Sequence, residues 1–143
     1  GEEKIKITVP PGVRDGQVLR VRGKGGKGRR GGESGHLYLH VSVEHNPLFE
    51  RKEDDLTTEA SIPLYTAVLG GNATINTLKG DVTIKIPPET QSGKTLRLKG
   101  MGMPVYGKKG ETGSLFVKIL VTIPQNLSQR EIELFKELSS LRP

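Results

Sequence analysis

The sequence predicts an all-β chain: two tandem small β-sandwich-like domains, the first truncated at its N-terminus, followed by a C-terminal amphipathic helix. Three observations carry this. The chain repeats itself, several short runs alternate apolar and polar residues, and one late segment spaces its apolar residues as a helix does.

The repeat organises the rest. Residues 9–25 read VPPGVRDGQVLRVRGKG and residues 86–102 read IPPETQSGKTLRLKGMG. At one offset of 77, seven positions are identical: Pro10/Pro87, Pro11/Pro88, Gly16/Gly93, Leu19/Leu96, Arg20/Arg97, Gly23/Gly100 and Gly25/Gly102. After a one-residue slip, Gly32-Glu33-Ser34-Gly35-His36-Leu37 matches Gly110-Glu111-Thr112-Gly113-Ser114-Leu115. Prolines and glycines in register with apolar residues mark equivalent turns and strands in two copies. About thirty residues, from Asp55 onward, precede the Ile86-Pro87-Pro88 mark, whereas only eight precede Val9. The first copy is therefore expected to lack its opening strands, with a longer protein continuing upstream and an unpaired sheet edge left open. The expected division is 1–46 for the partial first β-domain, 47–126 for the second and 127–143 for the helix.

Each element has its own signal. Ile5, Ile7 and Val9 alternate with Lys4, Lys6 and Thr8, which predicts a half-buried strand. Leu37, Leu39, Val41 and Val43 alternate in the same way, as do Val82, Ile84 and Ile86. Lys79-Gly80 is expected to turn the hairpin between Thr74–Leu78 and Val82–Ile86, with glycine supplying the positive φ. Leu64 to Leu69 followed by Gly70-Gly71 predicts one short helix with a glycine C-cap. Leu115, Val117, Ile119, Val121 and Ile123 form the longest alternation, yet Phe116 and Leu120 are apolar on the opposite face. Two readings fit these two: a central strand covered on both faces, which is preferred narrowly, or a groove for an extended peptide. Near the end, Ser128 and Glu131 form a capping box, and Leu127 with Ile132 can form a hydrophobic staple. Ile132, Phe135, Leu138 and Leu141 then fall on one helical face, with Leu134 beside them.

Composition and motifs exclude more than they assign. The apolar fraction is 33% and aromatics are 4%, so any core consists of Ile, Val and Leu in thin layers. With no cysteine, this stretch has no disulfide, thiol nucleophile or cysteine zinc site. No apolar run approaches the ~18 residues of a membrane span. Gly23-Lys24-Gly25-Gly26-Lys27-Gly28 matches a dinucleotide fingerprint, but no helix pattern follows to receive a phosphate. Arg20, Arg22, Lys24, Lys27, Arg29 and Arg30 form a basic run without an acid, and the net charge is +6. A nucleic-acid-binding module is the alternative function this run suggests. No aromatic interleaves with it to stack bases, so a solvated loop is the preferred account, with an acidic peptide tail as a third. His36 and His40 share a strand face about 13 Å apart, too far to share a metal without a third element. Asp54-Asp55 and Glu2-Glu3 point to opposite faces of an extended chain. The expectation is a non-enzyme with no cofactor and no metal.

Several of these stretches together resemble the C-terminal region of bacterial DnaJ-type co-chaperones. They are Val9-Pro10-Pro11-Gly12-Val13-Arg14-Asp15-Gly16, Gly35-His36-Leu37-Tyr38-Leu39 and His45-Asn46-Pro47-Leu48-Phe49-Glu50-Arg51. Ala67-Val68-Leu69-Gly70, Ile86-Pro87-Pro88 with Gly93, and Gly113-Ser114-Leu115-Phe116-Val117 continue the match over nearly the whole chain. His36 and Ser114 depart from it, standing where the family often has Asp after Gly. The resemblance implies tandem β-domains that bind unfolded client polypeptides for a DnaK-type chaperone, in a cytoplasmic homodimer. On this basis Ile5, Ile7, Leu37, Leu39 and Val41 are candidates for the first client site, much of whose pocket would belong to the missing strands. Ile62, Leu64, Val68, Leu69, Phe116 and Leu120 are candidates for a weaker second site, and Ile132, Phe135, Leu138 and Leu141 for the dimer contact. No His-Pro-Asp tripeptide is present, since Asn46 follows His45, so this stretch is not expected to stimulate a partner's ATPase. Missing Cys-x-x-Cys repeats suggest the zinc-less class, and upstream sequence would decide it.

Overall fold

The computed structural model describes residues 4–23 and 35–143. The basic residues Lys24, Lys27, Arg29 and Arg30 lie outside the described residues, as do most of the glycine-rich fingerprint and Gly32 to Ser34 of the repeat. The chain forms two compact units, Gly1–Thr58 with Arg97–Val117 and Glu59–Leu96 with Lys118–Pro143.

In the first unit, β1 (Val18–Val21) pairs antiparallel with β2 (Leu37–His40). Leu19 stands opposite Leu39 and Val21 opposite Leu37, all half-buried, while Val18, Arg20, Tyr38 and His40 are exposed. Alternation thus sorts the two faces as the sequence requires. Pairing runs past the strand ends, where the Gly16 amide donates to Val41 O at 2.8 Å and the Val41 amide to Gln17 O at 2.8 Å. The Val43 amide ends the run by donating to Asp15 Oδ1 at 3.0 Å.

One expected strand does not form. Residues 4–10 carry no strand, and Ile7 and Val9 are 42% and 55% exposed. Alternation identifies an apolar face, but a strand also needs a ladder partner. Among the described residues no ladder forms along this segment.

β3 (Glu50–Lys52) and β4 (Asp55–Pro63) form a tight antiparallel pair turned at Glu53-Asp54. With β7 (Thr95–Leu98) and β8 (Leu115–Thr122) they make a four-stranded sheet in the order β3-β4-β8-β7. The interior strand β8 supplies the core: Leu115, Val117 and Ile119 are all fully buried. On its other face Phe116 and Leu120 are half-buried and Lys118 is exposed, so this face is covered only in part.

In the second unit, α1 (Leu64–Leu69) starts at Pro63 and stops at Gly70, whose φ of 80° and ψ of 171° turn the chain out of the helix. A Cβ at Gly70 would press on Ile86 O and the Pro88 ring at 3.1 Å. The last carbonyls of α1 are satisfied by the second repeat mark: the Glu89 amide donates to Val68 O at 3.0 Å and the Thr90 amide to Ala67 O at 2.8 Å. The two residues that follow Pro87-Pro88 therefore cap the helix.

β5 (Gly71–Thr77) and β6 (Gly80–Ile86) form a hairpin in which Thr77 pairs with Gly80, so the two turn residues are Leu78 and Lys79. This shifts the expected turn by one residue. Gly80 takes φ 99° while Leu78 and Lys79 keep negative φ, so the glycine acts at the turn's exit, as in a bulged hairpin.

The chain ends in α2 (Gln129–Ser139). Its capping box is complete: the Glu131 amide donates to Ser128 Oγ at 3.1 Å and the Ser128 amide to Glu131 Oε1 at 2.9 Å.

The turn between β3 and β4 is the hub of the first unit. Arg51 Nε donates to Glu53 O at 2.6 Å, Nη1 to Val13 O at 2.8 Å and Nη2 to Gly12 O at 3.0 Å. Asp54 Oδ1 is buried without a hydrogen bond, and Arg51 Nη2 faces it at 4.0 Å. Arg14 holds the other oxygen at 3.3 Å. Backbone closes over the same turn: the Met103 amide donates to Asp54 O at 2.8 Å, and a Cβ at Gly102 would meet that oxygen at 2.6 Å.

Candidate functional site

A helix as short as α1, placed beside an amphipathic α2, leaves apolar side chains that neither helix can cover alone. Tyr65 and Phe135 make the contact, with ring centroids 6.4 Å apart and planes tilted by 35°. Around it opens a hollow of about 410 Å³ walled by Tyr65, Leu134, Phe135, Leu138 and Leu141, with Glu131 and Glu137 at its edge. A second hollow of about 660 Å³ is lined by Val68, Phe135, Leu138, Ser139, Leu141 and Arg142. Phe135, Leu138 and Leu141 line both, so the two form one groove.

The groove is open and apolar. Val68 is 49% exposed, Leu138 60% and Leu141 75%. Leu69 on α1 is 74% exposed. Fully burying one such side chain is worth about 1.5–3 kcal/mol, so this row is a store of association energy.

The sequence candidates do not all come together. Val68, Phe135, Leu138 and Leu141 come together in the groove, although they come from two different candidate sets. Ile132 and Leu64 are half-buried, and Ile62 is a core residue at 2% exposure. Phe116 and Leu120 lie on β8, while Leu37, Leu39 and Val41 form the half-buried side of the β1–β2 ladder. Ile5 is half-buried in the segment that forms no strand. Sequence reasoning missed Tyr65 as a groove residue, although it stands one helical turn before Val68 and so shares its face. It also missed the charges at the rim, Glu131, Glu137 and Arg142.

The β1–β2 ladder brings one aromatic to the described part of the basic run. Tyr38 lies directly across from Arg20, and His36 Nδ1 accepts the Gly23 amide at 3.3 Å. Among the described residues no group of three His or carboxylate side chains could hold a metal ion. No described helix is long and apolar enough to cross a membrane.

Comparison with known proteins places these features. Residues 1–124 match the family model of the DnaJ C terminal domain. The chain belongs to the DnaJ C-terminal domain family. The Chaperone protein DnaJ of Brucella anthropi is 42% identical over 141 residues, covering 98% of this chain and 37% of that protein. Those of Brucella canis and Brucella melitensis biotype 2 match to the same extent. The chain thus spans a little over a third of the length of these chaperones. The DnaJ C-terminal domain match ends before α2, whereas the pairwise matches leave out too few residues to omit that helix. The groove is therefore built from α1 inside the family domain and α2 just after it.

Proposed function

We propose that this chain binds unfolded or non-native polypeptide segments as part of a cytoplasmic DnaJ-type co-chaperone that delivers clients to a DnaK-type chaperone. The observation that carries the proposal is the open apolar groove on a chain of the DnaJ C-terminal domain family. An extended client can place alternate apolar side chains in such a surface without a fixed sequence, which suits capture of many clients. The first-unit candidates Ile5, Ile7, Leu37, Leu39 and Val41 form a separate proposed client surface. The second comprises Val68 and Leu69 with the more buried Ile62, Leu64, Phe116 and Leu120. A homodimer would form through Ile132, Phe135, Leu138 and Leu141. The protein is proposed to act by binding alone, without catalysis of its own.

Suppression of aggregation tests this directly. The chain, and a longer form extended upstream, are mixed with a chemically denatured model protein and light scattering is followed. Weak protection by the chain and stronger protection by the longer form are expected. Protection by neither refutes the proposal. Salt-steep binding of oligonucleotides together with no peptide binding would favour the basic run as the functional site instead.

A further inference from the structure

We infer that His36 is a pH-sensitive latch on the β1–β2 ladder: its neutral ring closes the end beside Leu37, and protonation releases that end and opens the first client surface. The inference rests on the client binding proposed above and specifies how the first of its surfaces is regulated.

The latch is one hydrogen bond. The last ladder pair sets Val21 opposite Leu37, and beyond it the Gly23 amide donates to His36 Nδ1 at 3.3 Å. Gly23 has φ 71°, so the chain turns out of the ladder there and its amide is met by a side chain. A ring nitrogen accepts only while it lacks a proton, so the bond requires neutral imidazole with its proton on Nε2. Histidine is the side chain that changes charge between about pH 8 and about pH 5, and in the charged ring both nitrogens donate. The bond is therefore present at the upper end of that range and lost at the lower.

The surroundings favour release. Arg22 follows Val21 and so stands opposite His36 across the ladder, with Arg20 opposite Tyr38 next along and His40 on the same face. All are exposed, and none of them is a carboxylate that would hold a charged ring in place. The Asp15 carboxylate is at the far end, where it accepts the Val43 amide at 3.0 Å. A proton on His36 thus sets like charges opposite each other, which is unfavourable in a strand pair.

The second copy lacks the device. Ser114 follows Gly113 there as His36 follows Gly35. It is 5% exposed, its Oγ accepts Arg97 Nε at 3.0 Å, and its amide donates to Asp55 Oδ1 at 2.8 Å. A serine hydroxyl keeps its proton throughout this range, so the response belongs to the first copy.

Leu37 is a client-surface candidate and Val21 is its half-buried partner. Loosening this pair exposes both side chains and frees their main-chain groups, which is what an extended peptide needs for strand addition. An exposed neutral hydrogen bond is worth little, so opening should rise about twofold to fivefold on its loss. The apparent affinity of a peptide that takes the open form rises by the same factor.

The test takes the chain from about pH 8 to about pH 5 and reads the His36 ring and the Gly23 amide together by NMR. Hydrogen exchange reports protection at Val21 and Leu37, and anisotropy reports binding of a rhodamine-labelled, end-blocked peptide of alternating Leu and Ser. The Gly23 amide should follow His36, protection should fall about twofold to fivefold, and peptide affinity should rise by that factor. His36→Asn offers an amide oxygen that does not titrate and should keep the high-pH protection and affinity throughout. It retains His40 and His45, so a response due to either survives in it. His36→Ala has no acceptor and should show the low-pH values throughout. A Gly23 amide that ignores His36, or a pH response that survives in His36→Asn, overturns the inference. Peptide affinity that stays constant with pH also overturns it, while leaving client binding standing. No peptide binding by the original chain or either variant at any pH refutes the client reading itself.

Discussion

Replacing Arg51 by alanine removes three hydrogen bonds at once, to Gly12, Val13 and Glu53, from a side chain that is only 19% exposed. Hydrogen bonds from a charged donor are worth about 1.5–3 kcal/mol each where the freed acceptor stays dry. The hydrogen bond to Glu53 is exposed and those to Val13 and Gly12 are part-buried, so water replaces part of that and about 1 kcal/mol for each is the better figure. Arg51→Ala should therefore cost about 3 kcal/mol. Asp54 Oδ1 loses its facing cation, though Arg14 still pairs with Oδ2 at 3.3 Å. Arg51→Lys keeps the charge but one ammonium cannot reach three divergent carbonyls, and should cost about 2 kcal/mol. With a urea dependence of about 2 kcal/mol per molar, the alanine variant should shift the unfolding midpoint down by about 1.5 M. Urea titration followed by circular dichroism reads this. A loss below about 0.5 kcal/mol, the scatter of ordinary surface changes, would refute the claim that the fork holds residues 12–13 against the turn.

Gly12→Ala should destabilise the chain by more than 2 kcal/mol in the same titration, because φ is +87° and the new Cβ would collide with Pro104 O and lie 2.7 Å from Tyr106 N. Ser128→Ala removes one half of the capping box and should cost α2 about 1 kcal/mol, read as earlier thermal loss of helical signal with little change in the sheet. Phe135→Asp places a charge against Tyr65 and should yield a monomer in sedimentation analysis; an unchanged mass would remove α2 from the dimer contact.

Features set by neighbouring residues were legible in the sequence. The capping box at Ser128, the helix stopped by Gly70 and the buried alternation of Leu115, Val117 and Ile119 each depend on spacing within one segment. The strand expected at Ile5 to Val9 failed because a ladder depends on a partner that periodicity does not name. The fork of Arg51 was hidden for a different reason. Its acceptors are carbonyls, which every residue carries, so nothing in the side chains of Gly12 or Val13 announces them. The groove was half legible. The apolar face of α2 followed from helical spacing, but its meeting with Val68 joins residues some seventy positions apart.

The enclosure of the Asp54 carbonyl by Gly102 and Gly113 bears on how chimeras of this chain can be made. Backbone there packs on backbone: a Cβ at Gly113 would collide with Asp54 O and sit 2.9 Å from Asp55 Oδ1, and one at Gly102 would lie 2.6 Å from the Gly113 carbonyl carbon. No change of side chain elsewhere can make room, because the obstacle is the main chain itself. Segments exchanged with a relative at 42% identity must therefore keep both glycines, together with Arg51 and Asp54 at the turn. They will not tolerate a junction that alters the length of chain between Gly102 and Gly113 or moves the turn at Glu53-Asp54. Crossover points belong outside both stretches.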